Sequence, residues 1–185
     1  MLPGEQWTLI EGMKITIAFL SFTCALTLAV QAAEVSVKIS GVHMCCKGCV
    51  TGAEKAIAEV KGVQASVDQD AKTVSITGPD KAAVQKAAVA LVAAGYFGKS
   101  SDEGIKLGGD TGAKDKTVKT LKIEGVHLCC GKCVTVVDEA VKSVPGVKDH
   151  TAVKNAASFE VSGEFNDKQV LEAIRKAGLS GKVAK

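Results

Sequence analysis

Apolar residues alternate at Val35, Val37 and Ile39, and again at Leu121 and Ile123, with the two-residue period of a half-buried strand. After each of these runs the period lengthens. Val50, Ala53, Ile57 and Val60 recur at helical spacing, as do Val134, Val137, Val141 and Val144. Gly62 in the first stretch and Pro145-Gly146 in the second end those helices. Two short strands are then expected near 63–68 and 73–77, joined by the turn Asp68–Lys72, with counterparts near 147–152 and 157–162. A second helix is predicted over about 80–94 with Val84, Ala88 and Leu91 on one face, and Val170, Leu171 and Ile174 take that part later in the chain. A short last strand follows Gly95 and again Gly178. The order strand–helix–strand–strand–helix–strand therefore occurs twice. Two right-handed crossovers make of each unit a four-stranded antiparallel sheet with both helices on one face. The predicted class is α+β, two tandem ferredoxin-like βαββαβ domains.

The duplication is visible residue by residue. An offset of 84 carries Lys38-Ile39 onto Lys122-Ile123, Gly41-Val42-His43 onto Gly125-Val126-His127, and Gly62-Val63 onto Gly146-Val147. Ala94-Gly95-x-x-Gly98-Lys99 finds its copy in Ala177-Gly178-x-x-Gly181-Lys182. The units are expected over 33–99 and 117–185. Between them, 100–116 is polar and glycine-rich and reads as a flexible linker, whose r.m.s. span would be roughly 23 Å.

The first 32 residues belong to neither unit. Met13-Lys14 precedes an uncharged apolar run from Ile15 to Val30, and the small-residue stretch Gln31-Ala32-Ala33 follows. A short positive region, an apolar centre and a Val30-Gln31-Ala32 cleavage site read as a secretory signal peptide, cut after Ala32 or Ala33. Met13 is then a plausible initiator. The alternative is an uncleaved anchor, although sixteen apolar residues fall short of the roughly 20 that span a bilayer. Cys24, inside the run, lacks the preceding small residues of a lipoprotein site. The expected location is outside the cytoplasm, periplasmic or extracellular, with membrane contact only through an uncleaved signal.

Charge adds little. The formal net charge is +3, the signs are interspersed and aromatic residues are 4% of the chain, so neither a nucleic-acid stripe nor a polybasic membrane patch is present. The cysteines change the picture. Six of the seven lie in one motif written twice: GVHMCCKGCV at 41–50 and GVHLCCGKCV at 125–134. Each holds His-x-Cys-Cys-x-x-Cys, namely His43, Cys45, Cys46 and Cys49, then His127, Cys129, Cys130 and Cys133. Three cysteines within five positions leave an odd thiol however they pair, and a bridge closing so small a loop stabilises little. Thiol and imidazole are ligands that late transition metals prefer. The motifs fall between the first strand and first helix of each unit, where free N–H groups and the positive helix end stabilise a thiolate, as Lys47 and Lys132 would.

An exported ferredoxin-like unit with Cys-x-x-Cys between its first strand and first helix resembles the heavy-metal-associated domain family. That family includes copper chaperones, the N-terminal domains of metal-exporting ATPases and periplasmic mercury-binding proteins. The resemblance covers both units and puts the family's two metal-binding cysteines on Cys46/Cys49 and Cys130/Cys133. It departs from the family motif Gly-Met-x-Cys-x-x-Cys in three ways. Val42-His43 and Val126-His127 are inserted, the Met is kept as Met44 but becomes Leu128, and each loop gains Cys45 or Cys129 and a His.

Four candidate ligands per loop would suit Cys₃His zinc, yet adjacent Cys45 and Cys46 have Cα atoms only about 3.8 Å apart and diverging side chains. At most three thiolates per ion are expected, with His43 and His127 as optional ligands or parts of the loop. The function expected is a binding protein that sequesters or transfers a soft metal ion. Cu(I) is favoured, Zn(II) next, with Cd(II) and Hg(II) possible, and a metal transporter or metalloprotein is the expected acceptor. The enzymatic alternative is a thiol–disulfide oxidoreductase using Cys-x-x-Cys, for which the prolines offer no cis-Pro facing the pair. Ser/His/Asp arrays, paired carboxylates and phosphate-binding loops are not recognisable, and no enzyme is expected. Whether each unit works alone, or both share one ion, is open at this level.

Overall fold

The structure, a computed structural model, describes residues 33–185. The proposed signal peptide and Cys24 lie outside the described residues. The first half runs β1 (Val35–Ser40), α1 (Lys47–Ala58), β2 (Gln64–Asp68), β3 (Thr73–Gly78), α2 (Lys81–Ala93) and β4 (Lys99–Ser100). The second runs β5 (Thr117–Glu124), α3 (Gly131–Lys142), β6 (Val147–His150), β7 (Ser158–Asn166), α4 (Asp167–Lys176) and β8 (Lys182–Val183). The strands form two four-stranded antiparallel sheets, ordered β2-β3-β1-β4 and β6-β7-β5-β8. Among the described residues the fold is thus α+β, with two sheets and four helices.

Register follows from burial. Val37 and Ile39 of β1 face inward opposite Ile76 and Val74 of β3, so the alternation that predicted the strand is the side that packs on the helices. From α1 come Cys49, Ala53 and Ile57, and from α2 Val84, Ala88 and Leu91. Leu121, Ile123, Phe159 and Val161 repeat this in the second half beneath Val137, Val141, Val170 and Ile174. Each second helix is capped by a side chain: Asp80 accepts from the Ala83 N–H at 2.7 Å, and Asn166 from Lys168 and Gln169 at 3.0 and 3.2 Å. The first helices are not. Cys46 and Cys130 occupy their N-cap positions without making a side-chain cap, which leaves both sulfurs available.

Two elements differ from expectation. Strand β7 runs to Asn166, longer than the periodicity indicated, because beyond a register shift it stays paired with β5, Val118 opposite Phe165 and Thr117 opposite Asn166, and buries Phe165. The segment 100–116 is packed where its composition suggested a flexible linker. Ile105 and Leu107 are buried, the Gln85 side chain bonds both backbone groups of Lys106 at 2.8 Å, and Thr111 accepts from the Val183 N–H. Buried Asp167 takes N–H donors from Lys114 and Lys116 at 2.8 and 3.0 Å. Two apolar side chains in a polar run are enough to anchor it.

The described residues, 33–185, form one compact unit. The halves meet through the segments that follow α2 and α4. Tyr96 and Leu179 form an antiparallel bridge, Ser180 donates to the Gly95 carbonyl at 2.8 Å, and the Gly178 carbonyl accepts from His43 and Phe97 at 3.0 and 3.1 Å. Gly95 and Gly178 sit at φ +95° and +84°, and a Cβ on either would strike the opposite half's backbone at His127 or at Gly41 and His43. The repeated glycine, with the residues that follow it, therefore brings the halves together.

Candidate metal centre

That contact puts the two cysteine loops face to face. Each leaves its first strand through a glycine at positive φ, Gly41 or Gly125, and enters its helix at Cys46 or Cys130. The backbone N–H groups of Cys49 and Cys133 bond the carbonyls of Cys46 and Cys130 at 2.9 and 3.1 Å, which turns the third cysteine back under the first two. Cys49 and Cys133 are fully buried, and Cys45, Cys46, Cys129 and Cys130 are half-buried. Met44 and Leu128 are buried packing residues at equivalent positions.

All six sulfurs converge into one group. Within a loop, Cys45–Cys49 and Cys46–Cys49 lie 3.6 and 3.8 Å apart, and Cys129–Cys133 and Cys130–Cys133 3.7 and 3.8 Å. Between loops the contacts are as short: Cys45 to Cys130 and Cys133 at 3.3 and 3.5 Å, Cys46 to Cys129 at 3.6 Å, and Cys49 to Cys129 and Cys133 at 3.5 and 4.0 Å. These six cysteines are free thiols. Separations near 3.5 Å are far beyond an S–S bond of about 2.05 Å and match sulfurs placed around a common cation.

The histidines are placed unequally. A His43 nitrogen lies within 4.8 Å of the Cys45 and Cys133 sulfurs, and its Nε2 is buried without a hydrogen-bond partner. His127 Nε2 is instead held by the Tyr96 hydroxyl at 3.0 Å, and the two rings stack with centroids 4.5 Å apart. The same hydroxyl donates to the Cys49 carbonyl at 2.8 Å. Leu179 stands where the repeat would put a second Tyr96, so His43 has no equivalent partner. Helix α1 admits the Tyr96 hydroxyl because residue 52 is glycine, whereas the position 84 residues on is Val136. Tyr96 and Gly52 were not among the residues sequence reasoning selected. A single tyrosine without a counterpart in the repeat carries no local signal of what it touches.

Crowding makes the thiols ionise unequally. Cys49 is held well below the ordinary thiol range by the S–H of Cys133, with further help from His127, the Cys45 N–H and Cys129. Cys133 moves the opposite way for the same reason, because its proton is shared toward Cys49. Cys130 is lowered to about 6, first by the backbone N–H of Cys133. Burial raises Cys45 to about 12 and lifts Cys129 further. Negative charge therefore collects on Cys49 and Cys130, and gathering all six thiolates requires cations. Burial also lowers the His43 pKa, which keeps its imidazole neutral and able to act as a ligand.

Residues 120–180 match the family model described as the heavy-metal-associated domain. Over 142 residues, 73% of the chain, the sequence is 32% identical to a protein of Rhizobium meliloti (strain 1021) named Copper-transporting ATPase 2, of which it spans only 15%. Among solved structures, the N-terminal domain of PacS from Synechocystis PCC6803 matches at 22% identity and TM-score 0.34, covering 37% of this chain and all of that one. The N-terminal soluble domains of Bacillus subtilis CopA match at 19% identity and TM-score 0.29, covering 83% of this chain and 95% of that one. Residues 120–180 are thus a heavy-metal-associated domain.

Proposed function

We propose that the protein is an exported carrier of soft metal ions, Cu(I) before Zn(II), Cd(II) or Hg(II), bound by the thiolates of Cys45, Cys46, Cys49, Cys129, Cys130 and Cys133. The observation that carries this reading is the convergence of six free sulfurs from two loops to 3.3–4.0 Å. The copper-transporter relative supports copper as the cargo and a membrane metal transporter as the acceptor. The duplicated motif supports reading the first half as a second domain of the same kind. Four half-buried sulfurs leave a face from which an acceptor's thiols can take the ion. Redox catalysis fits less well, since each sulfur touches two to four others and no Cys-x-x-Cys pair stands apart as a couple.

The test is an anaerobic titration of the reduced chain, from residue 33 on, with Cu(I) against a competing chelator. Tight retention of Cu(I), lost when all six cysteines are replaced by serine, is expected. Retention below one ion per molecule, or an unchanged affinity in the serine variant, refutes the reading. Export is tested separately by locating the full-length chain in fractionated cells, where recovery from the cytoplasm with residues 1–32 intact would refute it.

A further inference from the structure

The sulfur group has a definite shape. Nine of its pairs are separated by 3.3–4.0 Å. Cys45–Cys46, Cys46–Cys130 and Cys129–Cys130 lie within 4.8 Å. Three pairs are left without a short contact: Cys45/Cys129, Cys46/Cys133 and Cys49/Cys130. These share no residue. Six points joined in every way except across three separate pairs are the corners of an octahedron.

The shape restricts coordination. Any four corners of an octahedron include an opposed pair, so four of these sulfurs do not surround one ion as a tetrahedron. Any triangular face does offer three sulfurs to one ion. A metal–thiolate bond of about 2.3 Å sets sulfurs about 4.0 Å apart around a trigonal ion, close to the edges observed. Structural zinc takes four ligands in a tetrahedron. Cu(I), which thiolates select and which accepts three ligands, matches the faces.

Building on the soft-metal reading above, the geometry points to one tetranuclear Cu(I)–thiolate cluster that both halves share. One ion sits on each of four alternate faces: Cys45/Cys46/Cys130, Cys46/Cys49/Cys129, Cys129/Cys130/Cys133 and Cys45/Cys49/Cys133. Every sulfur then bridges two ions, and three of the four ions take ligands from both loops, the fourth lying on Cys129, Cys130 and Cys133 of the second loop alone. Copper enters as Cu(I), so no electron is transferred. Six thiols lose six protons to the solvent as four monovalent ions bind, which leaves a charge of −2 on the cluster. Helices α1 and α3 start at Cys46 and Cys130 and present their positive ends to that charge. His43 has a ring nitrogen within 4.8 Å of the Cys45 and Cys133 sulfurs, two corners of the fourth face. The extra cysteine of each motif thus has a purpose, since Cys46, Cys49, Cys130 and Cys133 alone supply four sulfurs where the cluster needs six.

The experiment is native mass spectrometry and X-ray absorption on the reduced chain from residue 33 on, loaded anaerobically with a Cu(I)–acetonitrile complex. Four ions are expected to load together, with mainly metal-free and four-copper species present at half loading. A Cu–Cu vector near 2.7 Å, two-thirds of an octahedral edge of about 4.0 Å, is expected in the absorption data. Cys46→Ser opens two faces and should drop loading from four ions to two or fewer. Cys130→Ser, at the mirrored position, gives the same reading should one variant fail to fold. Two ions bound in independent steps without a Cu–Cu vector would overturn the cluster and leave the soft-metal reading standing. So would loss of only one ion in both serine variants. A chain that keeps no Cu(I) at all would remove both.

Discussion

Replacing Gly52 with alanine should destabilise this protein, although residue 52 is inside helix α1, where alanine is ordinarily the better residue. Intrinsic propensity alone predicts a gain of about 1 kcal/mol. The structure reverses the sign. An added Cβ would fall on the Tyr96 hydroxyl and come within 3.1 Å of His127 Cε1. Tyr96 is fully buried, stacked on His127 and bonded to both His127 Nε2 and the Cys49 carbonyl, so it has no open space into which to move. Overpacking of this kind costs about 1–3 kcal/mol, and displacing the hydroxyl leaves a buried acceptor unpaired at about 1–3 kcal/mol more. A net loss of about 1–5 kcal/mol follows once the helical gain is subtracted. The companion change is Tyr96→Phe, which removes the colliding atom and costs about 1–3 kcal/mol on its own. In that background Gly52→Ala should be close to neutral, so the two changes should couple by about 2 kcal/mol. Urea unfolding of the reduced, metal-free proteins, followed by far-UV circular dichroism, measures the cycle. Stabilisation by Gly52→Ala in the Tyr96 protein, or additive single changes, would show that the hydroxyl does not occupy the space above residue 52.

Gly178→Ala forces a non-glycine residue to φ +84° against the backbone of Gly41 and His43, and should cost about 1–3 kcal/mol from strain alone. It should also weaken Cu(I) retention without touching a ligand, as competition with a chelator would reveal. Asp167→Ala strips the acceptors from the Lys114 and Lys116 N–H groups and should cost about 1–3 kcal/mol in a urea midpoint series. Burial, the largest single influence on that carboxyl, raises its pKa, but the N–H donors of Lys114, Lys116, Lys168 and Asp115 together outweigh it and hold the pKa below normal. Its stabilising effect is therefore complete above the unfolded value of about 3.9 and is lost as pH falls through the lower folded value. Unfolding midpoints between pH 6 and pH 3 should drop less for Asp167→Ala than for the parent. Air oxidation of the thiols should abolish Cu(I) binding and added reductant should restore it, whereas undiminished binding by the oxidised protein would contradict thiolate ligation.

Much of this molecule was legible in its sequence because the information is local. Alternation at Val35–Ile39 and helical spacing at Val50–Val60 reflect which side of each element meets the core, and that side is settled by neighbours in the chain. The ligand candidates were legible too, since no packing need explains three cysteines and a histidine repeated in register. The fate of 100–116 was not, because Ile105 and Leu107 are anchored by partners remote in sequence while their surroundings read as polar linker. Nor was the arrangement of the sulfurs. Two identical motifs announce two loops, but whether these face apart or together depends on contacts between the halves, made by Gly95, Tyr96, Gly178 and Leu179 far from either motif. Chain order alone therefore supplied the donor atoms and the element that holds each one. Only tertiary packing gathered six of them into one octahedral group, because distances between sulfurs more than eighty residues apart are set by how two surfaces fit and by nothing within either motif.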